Sequence, residues 1–246
     1  MGSFKAILYP YVEGHNGVEA KLSEDQWAQF GAAIKKLHSV DIPNALTSGT
    51  PRKTFSSKWR ETVKSFLGRI ENEVFEEPVA VKMVLFLKSK SSEILKLVER
   101  AEELAITIQK QPLDYVLCHA DMHGWNLIVD KKVALYIVDW DTLIFAPVER
   151  GLMFVDAGIW DGGLTVSERE SLFYKGYTQT KINQDVIAYY RFERIIQDIG
   201  DYYEYIFLSD EGGEDGMRCF EALQPVFLPN GAIERACQSD KMREIL

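Results

Sequence analysis

The stretch from Leu117 to Asp141 reads LCHADMHGWNLIVDKKVALYIVDWD and gathers His119, Asp121, Asn126 and Asp139. Asn126 follows Asp121 by five positions, and Asp139 follows Asn126 by thirteen. The order H-x-D-x-x-x-x-N and then D is that of kinase-type phosphoryl transfer, which needs a carboxylate at the attacking hydroxyl and oxygen ligands for a divalent cation. Asp121 is the candidate that accepts or orients the hydroxyl proton. The amide oxygen of Asn126 and the carboxylate of Asp139 are the candidate Mg2+ ligands, because this hard cation takes oxygen donors. His119 completes the catalytic set, as a brace for the loop more than as a proton carrier. The role of His123 stays open. A lone H-x-D on a loop is usually structural, and acidic residues at strand ends are ordinary turn formers. Both gaps matched between strongly apolar runs favour the chemical reading.

These groups need a scaffold that holds them together. Asn126 to Asp130, the turn Asp130-Lys131-Lys132 and the run Val133 to Val138 predict a hairpin whose open end carries Asn126 and Asp139 beside the Asp121 loop. Around it the pattern is helical. Ser23 and Gln26 form a capping box ahead of Trp27, Phe30, Ala33, Ile34 and Leu37 at helical spacing. Trp59, Val63, Phe66, Leu67, Ile70 and Val74 trace a second face, and Pro78 suits the first turn of a further helix. From there to Lys110, the residues Val81, Val84, Leu85, Ile94, Leu97, Val98, Ala101 and Leu104 mark one long helix or two. Thr165 and Glu168 form a second capping box, and helices are expected over 184–208, 217–226 and 232–246. The fold class is α+β, mainly α, with a small antiparallel hairpin carrying the site.

The segment CHADMHGWNLIVD followed by VDWD differs from the HRD and DFG forms of protein kinases and resembles the aminoglycoside phosphotransferase family of the kinase-like fold. Tyr9-Pro10-Tyr11-Val12-Glu13-Gly14 resembles the family's hinge, and Leu37-His38 closes a helix as in its members. The aromatic-rich region Tyr189 to Tyr205 and the piece Ala146 to Arg150 are most similar to the spectinomycin phosphotransferase branch. The resemblance implies a kinase-like C-terminal lobe over 15–246, preceded at 1–14 by the hinge to an N-terminal lobe. It implies ATP or GTP as donor with Mg2+, Tyr9, Tyr11, Val12, Ile128 and Ile137 at the nucleotide, and a hydroxyl of an aminoglycoside or aminocyclitol antibiotic as acceptor. Family members carry a phosphate-covering loop and a lysine ahead of the hinge; no G-x-G-x-x-G or Walker A pattern occurs here. The chain is therefore expected to be the C-terminal lobe without that half. Whether it transfers phosphate alone stays open at this point. Where the family has an aspartate bracing the catalytic loop, this chain has Gly151.

Carboxylates among tyrosines would suit a pocket for an amino sugar, through charge-assisted hydrogen bonds and cation–π contact. Asp198, Asp201, Tyr202 and Trp160 are the candidate acceptor residues, with Glu193 and Glu204 nearby in sequence. The alternative is i,i+4 pairing with Arg191 and Arg194 plus core packing. Asp141 either reaches the ions or bonds backbone N–H groups.

Bulk composition narrows the partners. With 37 acidic against 28 basic residues the net charge is −9, which speaks against nucleic acid and suits a cationic small molecule. Cysteines at 118, 219 and 237 have no metal-like or paired spacing, as expected of reduced thiols in a cytoplasmic protein. No run approaches a membrane span and no signal peptide opens the chain. Two other readings remain: a non-catalytic lobe that binds a cationic small molecule or a partner, with an exposed lobe surface that favours dimers, and a related kinase for choline, homoserine or a sugar.

Overall fold

The computed structural model describes residues 8–43, 47, 49–155, 164–178, 180–208 and 214–240. In chain order the elements are β1 (Gly14–Asn16), α1 (Gly17–Ala20), α2 (Glu24–His38), α3 (Lys58–Asn72), α4 (Pro78–Ile108), β2 (Val116–His119), β3 (Leu127–Asp130), β4 (Leu135–Ile137), β5 (Leu143–Ala146), α5 (Glu149–Leu152), α6 (Val166–Tyr177), α7 (Gln184–Leu208), α8 (Glu214–Leu223) and α9 (Ala232–Ser239). Their contacts divide into two units, Met1–Lys53 with Asp114–Ile182, and Thr54–Leu113 with Asn183–Leu246. The fold is mainly helical with small antiparallel sheets. Among the described residues no helix is long and apolar enough to cross a membrane.

Among the described residues the first unit holds every strand. β1, β3 and β4 form one antiparallel sheet, and β2 pairs with β5 in a second. In the β3–β4 hairpin Leu127 faces Ile137 and Val129 faces Leu135. Asp130 closes the turn, because its Oδ1 accepts from the backbone N–H of Lys132 at 2.8 Å and of Ala134 at 2.9 Å. Those same bonds, led by Ala134, hold the Asp130 carboxyl below its ordinary range. Val133, expected at the start of the second strand, instead lies in the turn at φ 68° and is exposed.

Helix α2 anchors the hairpin from outside. Ser23 and Gln26 form the capping box, and the Gln26 Nε2 also donates to the Val133 carbonyl at 3.0 Å. Trp27, Phe30 and Ile34 are buried, whereas Ala33 of the same predicted stripe is exposed. Burial of α2 is against α6, which the second capping box, Thr165 with Glu168, starts. The two backbones approach closely at glycines. A Cβ on Gly176 would stand 1.8 Å from the Ala28 carbonyl oxygen, and one on Gly31 would stand 2.0 Å from that of Phe173. Backbone cannot yield as a side-chain tip can, so Gly176→Ala must part the helices. The expected loss is about 1–3 kcal/mol, read as a lower urea midpoint; an unchanged midpoint would show that the crossing tolerates separation.

In the second unit α3, α4 and α7 share a core. Val63, Ile70, Leu87, Leu97, Ile196 and Ile199 are completely buried, each worth about 1.5–3 kcal/mol against full exposure. The helix from Pro78 is a single one, capped by the Glu77 carboxylate on the Ala80 N–H at 2.6 Å. Its buried face runs through Ala80, Met83, Val84 and Leu87, leaving Leu85 exposed on the other side. Val74 is also exposed, since α3 ends at Asn72 and Glu73 turns extended. Arg100 fixes the end of α9 through paired bonds to Asp240 at 2.6 and 2.8 Å.

Candidate active site

Strand β2 ends at His119, and the loop that follows is built from backbone bonds. The N–H of Ala120 donates to the Thr142 carbonyl at 3.2 Å, joining the loop start to the turn beyond β4. His119 is buried with both ring nitrogens engaged: Nε2 meets the Val138 carbonyl at 2.9 Å, and Nδ1 lies 3.3 Å from the Asp121 N–H. A carbonyl only accepts and an N–H only donates, so the tautomer is Nε2–H. Burial pushes the imidazole below its ordinary range, against the opposing pull of the Val138 bond. In this geometry His119 ties the Asp121 backbone to Val138, the residue that follows β4.

Asn126 sits in a short 3₁₀ turn, its N–H bonded to the His123 carbonyl at 3.0 Å. Its side-chain NH2 donates to the Asp121 carbonyl at 2.8 Å and lies 3.4 Å from Asp139 Oδ2. Opposite, the Val138 N–H donates to the Asn126 carbonyl at 3.0 Å. The open end of the hairpin therefore brings Asp121, Asn126 and Asp139 together. Asp139 adopts a left-handed backbone at φ 63° and ψ 53°, a conformation that Asp and Asn tolerate better than other side-chain-bearing residues. Its carboxyl is held above the usual range, first by a hydrogen bond with Asp141, then by burial and by the charges of Asp141 and Asp121. Carboxylates this close share a proton or a cation.

The arrangement fits Mg2+. Because the Asn126 NH2 is oriented by Asp121 and Asp139, its Oδ1 is the atom available to a hard cation, and the crowded acidic charge at Asp139 would be neutralised by one. Among the described residues no three His, Cys, Asp or Glu side chains converge to hold a metal by themselves.

Other groups line the loop. His123 Nε2 is 3.2 Å from Asp121 Oδ2, while Trp125 on the neighbouring turn is 54% exposed. Cys118 is buried, which pushes its thiol up to about 12 and leaves it a packing residue.

Of the candidate nucleotide residues, Ile128 and Ile137 lie on the three-stranded sheet and the others precede it in the chain. Tyr9 and Tyr11 are exposed and Val12 is half-buried just before β1, which pairs with β3 by placing Asn16 opposite Ile128. Ile128 and Ile137 are half-buried on the hairpin. The candidate acceptor residues belong to α7 of the second unit. There Asp198 pairs with Arg194 at 2.8 Å, and Asp201 has its carboxyl raised by burial while accepting from Gln197 at 3.2 Å. Tyr202 is half-buried. Trp160 lies outside the described residues. Glu193 is no pocket residue: it is buried against Arg60 at 2.5 Å in the core.

Gly151 has a local explanation. A Cβ there would stand 2.5 Å from His38 Nε2, so the glycine makes room for that ring. His38 bonds the Tyr177 hydroxyl through Nδ1 at 2.8 Å, and its buried Nε2 has no partner. Burial, reinforced by Lys35, lowers its pKa from 6.5 to about 4. The unfolded chain therefore takes up this proton near pH 6.5 and the folded chain only near pH 4, so stability falls as pH drops through that window. The loss should reach about 3 kcal/mol. His38→Gln should flatten the decline in urea titrations between pH 7 and pH 4; an equally steep decline would assign it to other groups.

Comparisons with known proteins bear on the family and the fold. The model of the phosphotransferase enzyme family (APH) matches residues 3–150 of the 246. No curated protein matches significantly. Among solved structures, spectinomycin phosphotransferase APH(9)-Ia in complex with ADP and spectinomycin is 30% identical over 97% of this chain and 71% of that one, with a TM-score of 0.85. Its AMP-bound complex is 31% identical over 93% of this chain and 70% of that one, with a TM-score of 0.82. An ethanolamine kinase from Plasmodium vivax, 15% identical over 92% of this chain and 65% of that one, shares the fold at a TM-score of 0.57. By the family match over more than half its length and by these likenesses, the chain belongs to the phosphotransferase enzyme family.

Proposed function

We propose that this chain carries the transfer site of a small-molecule kinase that moves the γ-phosphoryl group of ATP or GTP to a hydroxyl of an aminoglycoside or aminocyclitol. The observation that carries the reading is the Asn126 amide, which joins the Asp121 backbone at 2.8 Å to the Asp139 carboxylate at 3.4 Å. One side chain thus sets the spacing between the group at the acceptor and the group at the metal. The ADP and spectinomycin held by a relative 30% identical support both donor and acceptor class.

In this reading Asp121 accepts the hydroxyl proton, or orients it, as the acceptor oxygen bonds to γ-phosphorus and the bond to the bridging oxygen breaks. Asn126 and Asp139 would hold Mg2+, which neutralises phosphate charge when bound. His119 keeps the loop backbone in place. The remaining catalysis is positioning and electrostatics. A cationic acceptor suits the net charge of −9, and we assign its binding to Asp198, Asp201 and Tyr202. The nucleotide is assigned to Tyr9, Tyr11, Val12, Ile128 and Ile137.

The test is an acceptor panel of spectinomycin, aminoglycosides, choline, ethanolamine, homoserine and simple sugars, with Mg-ATP and Mg-GTP, scored by 31P NMR of the phosphorylated product. Product on an aminocyclitol or aminoglycoside is expected. Product confined to choline, ethanolamine, homoserine or sugars would overturn the acceptor class, and no product on any would overturn the reading for this chain.

A further inference from the structure

His123 stands inside the loop between Asp121 and Asn126, and its surroundings fix its orientation. Nε2 is 3.2 Å from Asp121 Oδ2. The other ring nitrogen, Nδ1, is buried without a hydrogen-bond partner. The ring meets Phe154 edge-on, with centroids 6.4 Å apart, and its side chain is 18% exposed. Its own carbonyl accepts the Asn126 N–H at 3.0 Å. An ionised carboxylate can only accept, so the proton between the two residues sits on Nε2. A proton on Nδ1 would have nothing to bond. Both constraints give the Nε2–H form, whose hydrogen bond points at one oxygen of the group assigned to the acceptor hydroxyl.

We infer that His123 is a positioning residue for Asp121: donating Nε2–H to Oδ2, it fixes the rotation of the carboxylate so that the hydroxyl meets a pre-set oxygen. The inference rests on the proposed transfer reaction for its kinetic consequence, but its geometry stands without it. Phe154 supplies the wall against which the ring is held. A carboxylate free to rotate samples orientations that cannot take the proton, and a misplacement on the order of 1 Å costs about 100-fold in rate.

Two measurements decide it. Long-range 1H–15N NMR of the ligand-free chain should show His123 as the Nε2–H tautomer; the Nδ1–H tautomer overturns the inference whether or not an acceptor has been found. With the acceptor that the wild-type chain phosphorylates, His123→Leu should lower kcat about 10- to 100-fold while leaving the nucleotide KM and the Tm near wild type. His123→Gln, whose amide N–H reaches the Nε2 position, should restore most of kcat. Equal impairment of both variants, or no loss in His123→Leu, overturns the role. A wild-type chain that phosphorylates nothing would instead count against the transfer reaction, and the tautomer would still decide the geometry.

Discussion

Replacing Asp121 by Asn should cut phosphoryl transfer by about 10²–10⁴-fold, the range of a lost general base, with the fold unchanged. The fold should survive because the loop is held through the backbone of this residue. Its carbonyl accepts from Asn126 at 2.8 Å and its N–H lies 3.3 Å from His119 Nδ1. Asn keeps both bonds and nearly the same shape, and its side-chain oxygen can still accept from His123. What it lacks is a basic oxygen to receive the hydroxyl proton. Turnover at saturating acceptor, with far-UV circular dichroism as the control for folding, checks this. Undiminished turnover would remove Asp121 from the chemistry.

The largest effect on stability is expected in the second unit, at Glu193. Arg60 and Glu193 are 3% and 4% exposed, and Arg60 Nη1 lies 2.5 Å from Glu193 Oε2. The guanidinium also reaches the Tyr189 hydroxyl and the Phe55 carbonyl, each at 3.4 Å. Glu193→Ala leaves the arginine charge in the core with only these two long bonds. Breaking a buried pair on one side costs about 3–5 kcal/mol, or about 6–20 °C of Tm for a chain of this length. Replacing both partners, Arg60→Met with Glu193→Leu, removes the buried charge altogether and should recover most of the loss. Calorimetry of the single and double variants checks both halves; a single variant within about 1 kcal/mol of wild type would mean that water reaches the pair.

The contrast between these residues shows what a chain reveals before it folds. Asp121, Asn126 and Asp139 were legible because their partners lie within twenty positions and the hairpin that joins them is local, with an Asp130 turn and apolar runs on either side. The capping boxes at Ser23 and Thr165 are local too, and both form. Glu193 is different. Its partner is 133 positions away, so its sequence neighbours, tyrosines and arginines on one helix, suggested a polar face where there is a buried ion pair. Val133 falls in the turn although φ 68° runs against the steric preference of valine, because the turn geometry of Asp130 overrides it. Gly151 could be noticed in the chain but not explained, since the His38 ring it accommodates belongs to a distant helix.

In the proposed reaction the hairpin mouth binds a metal–nucleotide pair through Asn126 and Asp139. Thermal unfolding of the chain with and without Mg-ATP, and with Mg-GTP, tests it without knowledge of the acceptor. At 100 times Kd a nucleotide adds about 2.7 kcal/mol, which for this length is about 5–11 °C. Asp139→Asn is the matched control, because Asn accepts the left-handed backbone at φ 63° and removes only the charge. A Mg2+-dependent rise in Tm is expected for the wild-type chain, and its loss in Asp139→Asn. A folded chain whose Tm does not move at millimolar Mg-nucleotide, or a rise that persists in Asp139→Asn, would contradict it.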